Sequence, residues 1–187
     1  MARAAIHLSA RKGIGPDQSA DAVAVQGLHL AIAIVPRQFL GIAVGVVHFG
    51  PGAFHRAHQA YYTDALMNQG LALDWGICGV GVRSEDRAMR DALASQDYLY
   101  TLVELGDEPN LPVRVIGAIT DMLLAEESPQ ALIDKLADPA IRIVSLTITE
   151  GGYCIDDSNG EFRAELPQIQ RDLAHPEAPR SVFGLLC

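Results

Sequence analysis

Basic residues are scarce in this chain. Lys12 and Lys135 are its only lysines, Lys and Arg together number 14 against 23 Asp and Glu, and the formal net charge at pH 7 is -9. With no basic stripe or cluster, the chain lacks the electrostatic footprint of a nucleic-acid or anionic-membrane binder. A phosphate-bearing ligand would have to rely on local groups. Cysteine is sparse as well. Cys78, Cys154 and Cys187 form no C-x-x-C spacing and are odd in number, which points to reduced thiols in a cytoplasmic setting. Cys78 and Cys154 fall in apolar, strand-like runs, so packing rather than reactivity is expected of them. Uninterrupted apolar runs of about twenty residues are absent. The patchy Ala/Val/Ile/Leu stretch before Pro36 is broken by Gln26 and His29, and it has neither the compact core nor the cleavage site of a secretory signal. His55 and His58, three apart, would be helix neighbours, but no further ligand cluster accompanies them, so no metal site is expected.

What is present suits one globular α/β domain: 49% hydrophobic and 20% charged residues in a chain long enough to bury a core. The organising stretch is Val44 to Gly70. Val44, Val46 and Val47 are apolar and β-branched, as a strand covered on both faces requires, and Gly50 and Gly52 then allow a sharp turn. A helix is expected from Phe54 to about Asn68, with Ala57, Tyr61, Ala65 and Leu66 inward and Gly70 as its left-handed stop. The orphan amides at such a helix start could hold a pyrophosphate. His55 stands where the dinucleotide fingerprint expects a third glycine, so the turn alone fits a structural bend as well as a ligand cradle.

Residues 1–40 carry few signals and are expected to be a disordered or loosely attached leader, with residues 41–187 forming the domain. Trp75 to Val82 reads as the next strand, delivering Arg83, Ser84, Glu85 and Asp86 at its tip. Glu85 and Asp86 are placed to bond ribose hydroxyls and repel a 2′-phosphate, or simply to begin the helix Asp86 to Ser95. Tyr98 to Leu105 and Val113 to Thr120 read as strands joined by an edge loop. Ser128 with Pro129 opens a helix to about Ala137, and Ile141 to Ile148 reads as another central strand. Its end, Thr147 to Tyr153, is expected on the same sheet edge as Gly50 and Glu85, where open α/β folds bind ligands. Asp156 to Gly160 reads as a surface turn, Pro167 to Ala174 as a short helix, and Ser181 as the cap of a helix beginning at Val182.

These segments together resemble the mannitol dehydrogenase family of polyol-specific long-chain dehydrogenases, over about Gly41 to Cys187. The likeness is carried by HFGPGAFHRAHQA at His48 to Ala60, DWGICGVGVRSEDRAM at Asp74 to Met89, QDYLYTLVE at Gln96 to Glu104, VRVIGAITDMLLAEE at Val113 to Glu127 and IRIVSLTITEGGYCID at Ile141 to Asp156. The resemblance implies a Rossmann-type, doubly wound, mostly parallel sheet with an antiparallel hairpin excursion. It further implies NAD as cofactor and interconversion of D-mannitol and D-fructose without a catalytic metal, fructuronate reductase and arabinitol dehydrogenase being the alternatives within the family. Phe49, Gly50, Gly52, Ala53, Phe54, His55 and Arg56 would form the phosphate-binding turn, Glu85 and Asp86 would favour NAD over NADP, and Thr149, Glu150 and Gly151 would line the cleft.

Three departures stand out. Pro51 removes one amide from the turn. Met1 to Leu40 do not match the family's short leader. The family's catalytic lysine, with its asparagine and histidine partners, belongs to a C-terminal helical domain that is missing here, and Lys135 lies mid-helix instead. No residue of this chain is therefore expected to be catalytic, and the polyol or ketose would bind only with that second domain. The expectation is an inactive, truncated NAD-binding fragment. The alternatives are a non-catalytic dinucleotide-binding or interaction module, and a remnant destabilised by an exposed Val182, Phe183, Leu185 and Leu186.

Overall fold

The computed structural model describes residues 4–7, 41–104, 113–147 and 153–187. Thr149, Glu150 and Gly151, the loop 105–112 and most of residues 1–40 lie outside the described residues.

Two buried runs flanked by glycine make the middle of the main sheet. β2 (Val44–Phe49) and β3 (Gly76–Gly81) pair in parallel, with Val47 opposite Cys78 and Phe49 opposite Val80. β6 (Ile119–Leu124) joins β3 and β7 (Ile143–Leu146) joins β2, both in parallel, giving the order β6-β3-β2-β7. The chain thus winds outward from β2 to β6 and then returns to the other side of β2. That reversal opens a crevice between the carboxyl ends of β2 and β7, where open α/β sheets take their ligands. A second, antiparallel sheet has the order β1-β4-β5, from β1 (Ala4–His7), β4 (Tyr100–Glu104) and β5 (Val113–Ile116). It contains the expected hairpin excursion, and Ala4–His7 of the anticipated leader pair along β4, Ala4 opposite Glu104.

Alternation along the strands divides the core in two. Val46, Ile77 and Met122 pack with Met67 of α2 (Gln59–Met67) and Leu93 of α3 (Asp86–Ala94). Val47, Phe49 and Val80 pack with Leu132 of α4 (Pro129–Leu136) and Leu185 of α6 (Val182–Leu186). Burying each such side chain contributes about 2 kcal/mol. α6 is anchored by the Ser181 hydroxyl, which accepts the Gly184 N–H at 3.1 Å, and it follows α5 (Pro167–Ala174). Leu185 is buried, so the apolar residues expected to lie open are partly covered within this chain.

Three expectations are corrected. The helix after the glycine turn is broken: α1 (Ala53–Ala57) ends at His58, whose φ of -122° and ψ of -88° are non-helical, before α2 begins. Of its expected inward residues, Ala57 and Tyr61 pack against the core, but Leu66 is exposed and Ala60, Asp64 and Met67 are the fully buried ones. Val113 to Thr120 is not one strand. The Gly117 N–H donates to the buried Asp64 carboxylate at 2.9 Å, and this tie separates β5 from β6. Finally, β7 is an edge strand among the described residues, with Ile143 and Val144 exposed, rather than a central one.

Candidate functional site

At the end of β2 the chain turns through Gly50, whose φ of +81° is the left-handed conformation glycine adopts without strain. The turn is pinned from three sides. The Gly50 N–H donates to Val80 O at 2.9 Å, the Gly52 N–H to Gly50 O at 2.6 Å, and the Arg56 N–H to Gly52 O at 3.0 Å. A Cβ at Gly50 would lie 3.2 Å from both the carbonyl oxygen and Oγ1 of Thr147, whereas one at Gly52 would meet little. The turn therefore sits hard against the end of β7 and faces open space on its other side.

That space is a cleft of about 520 Å³, within the range of small-molecule sites. Gly50, Gly52, Ala53 and Phe54 form one wall, and Val82, Arg83 and Asp86 at the tip of β3 form another. Thr147, Cys154, Gln168 and Arg180 to Phe183 complete the lining. Gly52 and Asp86 thus share one cavity. Asp86 is buried, and its Oδ2 accepts the N–H groups of Val82 at 2.9 Å and Arg83 at 3.0 Å. Its Oδ1 lies 3.7 Å from the Arg83 guanidinium. One carboxylate oxygen braces the strand tip, and the other is left for the cleft.

Several residues assigned to the turn by resemblance stand behind it. Phe49 is fully buried in the core. The Arg56 side chain does not reach the cleft: it is buried, donates to Pro51 O at 2.6 Å and contacts Met89 Sδ, while the Tyr100 hydroxyl donates to its carbonyl at 2.7 Å. It holds the turn from the protein side. Glu85 is exposed and not part of the cleft wall, so the acid pair reduces to Asp86. His55 is 1% exposed and stacks on His48, ring centroids 3.6 Å apart and planes at 16°. Neither His55 ring nitrogen has a hydrogen-bond partner among the described residues.

His48 was missed as a site residue, whereas Thr147 was expected on the ligand-bearing sheet edge and lines the cleft there. The signal for His48 was a lone imidazole in an apolar strand. Its Nδ1 lies 2.8 Å from Ser145 Oγ and its Nε2 3.0 Å from Thr147 Oγ1, joining β2 to β7 beneath the turn. Burial lowers His48 to about 4 and, with His48 adding to the effect, His55 to about 3, so both rings are neutral at ordinary pH. Burial also pushes the Cys78 thiol up to about 12, consistent with packing rather than reactivity. Among the described residues, no three His, Cys, Asp or Glu side chains gather to hold a metal, and no helix is long and apolar enough to cross a membrane.

The arrangement can take an extended, anion-bearing ligand across the crevice, with backbone amides at one end and a carboxylate oxygen at the other. The α1 helix is too short to supply much dipole, and the Gly50 and Gly52 N–H groups are bonded within the protein, so the first amides of α1, at Ala53 and Phe54, and the Arg56 charge behind them carry the attraction.

The family model of the mannitol dehydrogenase Rossmann domain matches residues 44–187. The mannitol 2-dehydrogenase of Neosartorya fischeri is 48% identical over 160 residues, 83% of this chain and 32% of that protein. The polyol:NADP oxidoreductase of Gluconobacter oxydans is 46% identical over 80% of this chain and 31% of its own length. Among solved structures, the Pseudomonas fluorescens mannitol 2-dehydrogenase in ternary complex with NAD and D-mannitol has a TM-score of 0.75 and 73% identity, covering 78% of this chain and 30% of that one. The chain spans about a third of the length of the curated relatives it matches. With the Rossmann-type sheet and these matches together, the chain belongs to the mannitol dehydrogenase family.

Proposed function

We propose that this chain is the NAD-binding domain of an oxidoreductase that interconverts D-mannitol and D-fructose by hydride transfer. The observation that carries this reading is the shared cleft of Gly52 and Asp86 at the crevice between β2 and β7. The similarity to a protein solved with NAD and D-mannitol supports the choice of ligand and substrate.

The cradle fits a dinucleotide. Gly52 leaves room for a diphosphate beside the Ala53 and Phe54 amides, and Asp86 Oδ1, which accepts no backbone N–H, is placed to accept a ribose hydroxyl. Thr149, Glu150 and Gly151 follow Thr147 closely in sequence, and the proposal keeps them as cofactor-binding residues. Bound NAD supplies the hydride acceptor. Oxidising an alcohol also needs a group to take its hydroxyl proton. Among the described cleft residues, Asp86 uses Oδ2 for the Val82 and Arg83 N–H groups and, in this reading, Oδ1 for the ribose, while Arg83 and Arg180 are cations. In our reading the chain by itself binds cofactor without turnover, and the polyol site with its base is supplied by the remainder found in longer relatives. A cytoplasmic setting is part of the same reading, supported by the unoxidised thiol of Cys78.

Calorimetric titration with NADH, paired with a mannitol oxidation assay, tests this. One-to-one binding and no turnover are expected. Failure to bind overturns the dinucleotide assignment, and turnover by the chain alone overturns the account of the missing base.

A further inference from the structure

Under the glycine turn lies a chain of hydrogen bonds that no cleft-lining ligand contact explains. Thr147 Oγ1 stands 2.6 Å from Gly50 O and 3.0 Å from His48 Nε2. A hydroxyl has one proton. Gly50 O is a pure acceptor, so Thr147 spends that proton on it and must accept from His48, which fixes the proton of His48 on Nε2. The other ring nitrogen, Nδ1, then accepts from Ser145 Oγ at 2.8 Å, much closer than the Gln59 Oε1 that the same hydroxyl meets at 3.4 Å. A single neutral tautomer satisfies both ends. The ring cannot tilt away easily, because His55 stacks on it at 3.6 Å and both rings are buried.

The same Gly50 carbonyl also accepts the Gly52 N–H at 2.6 Å. The orientation of the peptide that starts the turn is thus set from below by Thr147 and, through it, by His48. We infer that His48 is a positioning residue for the ligand's diphosphate: by holding the Thr147 hydroxyl as a donor to Gly50 O, it fixes the direction of the amides that follow. The inference rests on the dinucleotide reading of the cleft. His48 itself touches no ligand, being 1% exposed and absent from the cleft wall.

Two amide substitutions separate this role from packing. The terminal amide nitrogen of Gln can take the place of Nε2 and keep the bond to Thr147. The shorter Asn reaches only the Nδ1 position and its Ser145 partner. The full chain, its His48→Gln and His48→Asn variants, and Thr147→Val are titrated with NADH, and their thermal midpoints recorded. The expected result is that His48→Asn and Thr147→Val weaken binding by about tenfold, the worth of one hydrogen bond, while His48→Gln stays within about twofold of the parent. In the free protein, the Gly50 and Gly52 amide resonances move in His48→Asn and Thr147→Val and return in His48→Gln. Equal affinities for Asn and Gln variants, or losses that merely follow the thermal midpoint, overturn the positioning role alone. A parent chain that does not bind NADH overturns the dinucleotide reading and this inference with it.

Discussion

The guanidinium of Arg56 donates to the carbonyl oxygen of Pro51 at 2.6 Å, so the cation nearest the glycine turn faces the turn's back and not its cleft. The bond is charge-assisted and buried, and no lysine could reproduce its planar geometry. Arg56→Met keeps the bulk and removes the bond. It is expected to lose about 2 kcal/mol of stability, read from urea unfolding, and to weaken NADH binding. Unchanged stability and binding would show that the bond holds nothing.

Asp86 has two tasks that substitution can separate. Asp86→Asn preserves an oxygen for the Val82 and Arg83 N–H groups and loses the charge, whereas Asp86→Ala loses both. The Ala variant is expected to unfold about 2 kcal/mol more easily, with Asn intermediate. Both should narrow the preference for NADH over NADPH, since removing the carboxylate leaves the Arg83 cation in the cleft to meet a 2′-phosphate. A selectivity ratio that does not move in either variant removes the assignment.

Gly50→Ala tests the turn itself. The left-handed φ costs a non-glycine residue about 1–2 kcal/mol, and the added Cβ would press on the backbone oxygen of Thr147. Lower stability and loss of NADH binding are expected. An Ala variant that binds as tightly as the parent would contradict the close approach of β2 and β7.

The histidine pair makes stability pH-dependent, and the sign follows from the shifts. The unfolded chain takes up protons near pH 6.5, whereas the folded chain leaves His48 neutral to about 4 and His55 to about 3. Protons therefore favour unfolding. The pair's contribution is fully present above about pH 6.5 and is lost as pH falls, toward about 4 for His48 and about 3 for His55, with His48 alone accounting for on the order of 3 kcal/mol. Urea midpoints at pH 7.5, 6 and 5 should fall in that order, and His55→Phe, which keeps the stacking, should flatten the trend. Constant midpoints would contradict the burial of these rings.

Much of the architecture was legible because it is local. The β-branched residues before Gly50, the Gly70 stop with its φ of +74°, and Pro129 at the first turn of α4 each fix backbone geometry through neighbours in sequence. What could not be read depends on residues far apart. Asp64 faces inward because it meets the Gly117 N–H, 53 positions away, and nothing in its own helix announces this. Arg56 looks like a phosphate ligand in the motif, yet Pro51, Met89 and Tyr100 converge to bury it. β7 is as apolar as a central strand, and only the pairing pattern among the described residues shows it at the edge. His48 was passed over for the same reason, since its partners Ser145 and Thr147 lie almost a hundred residues on.

The most direct test is a map of backbone amide shifts in the ¹⁵N-labelled chain as NADH is added. Gly50, Gly52, Phe54 and Asp86 should move together at one saturation midpoint, with Trp75 and Arg142 at the far end of the sheet unaffected. Shifts gathered instead around Gln130, Ile133 and Arg171, which line the separate cavity against α4, would contradict the assignment of the glycine-turn cleft.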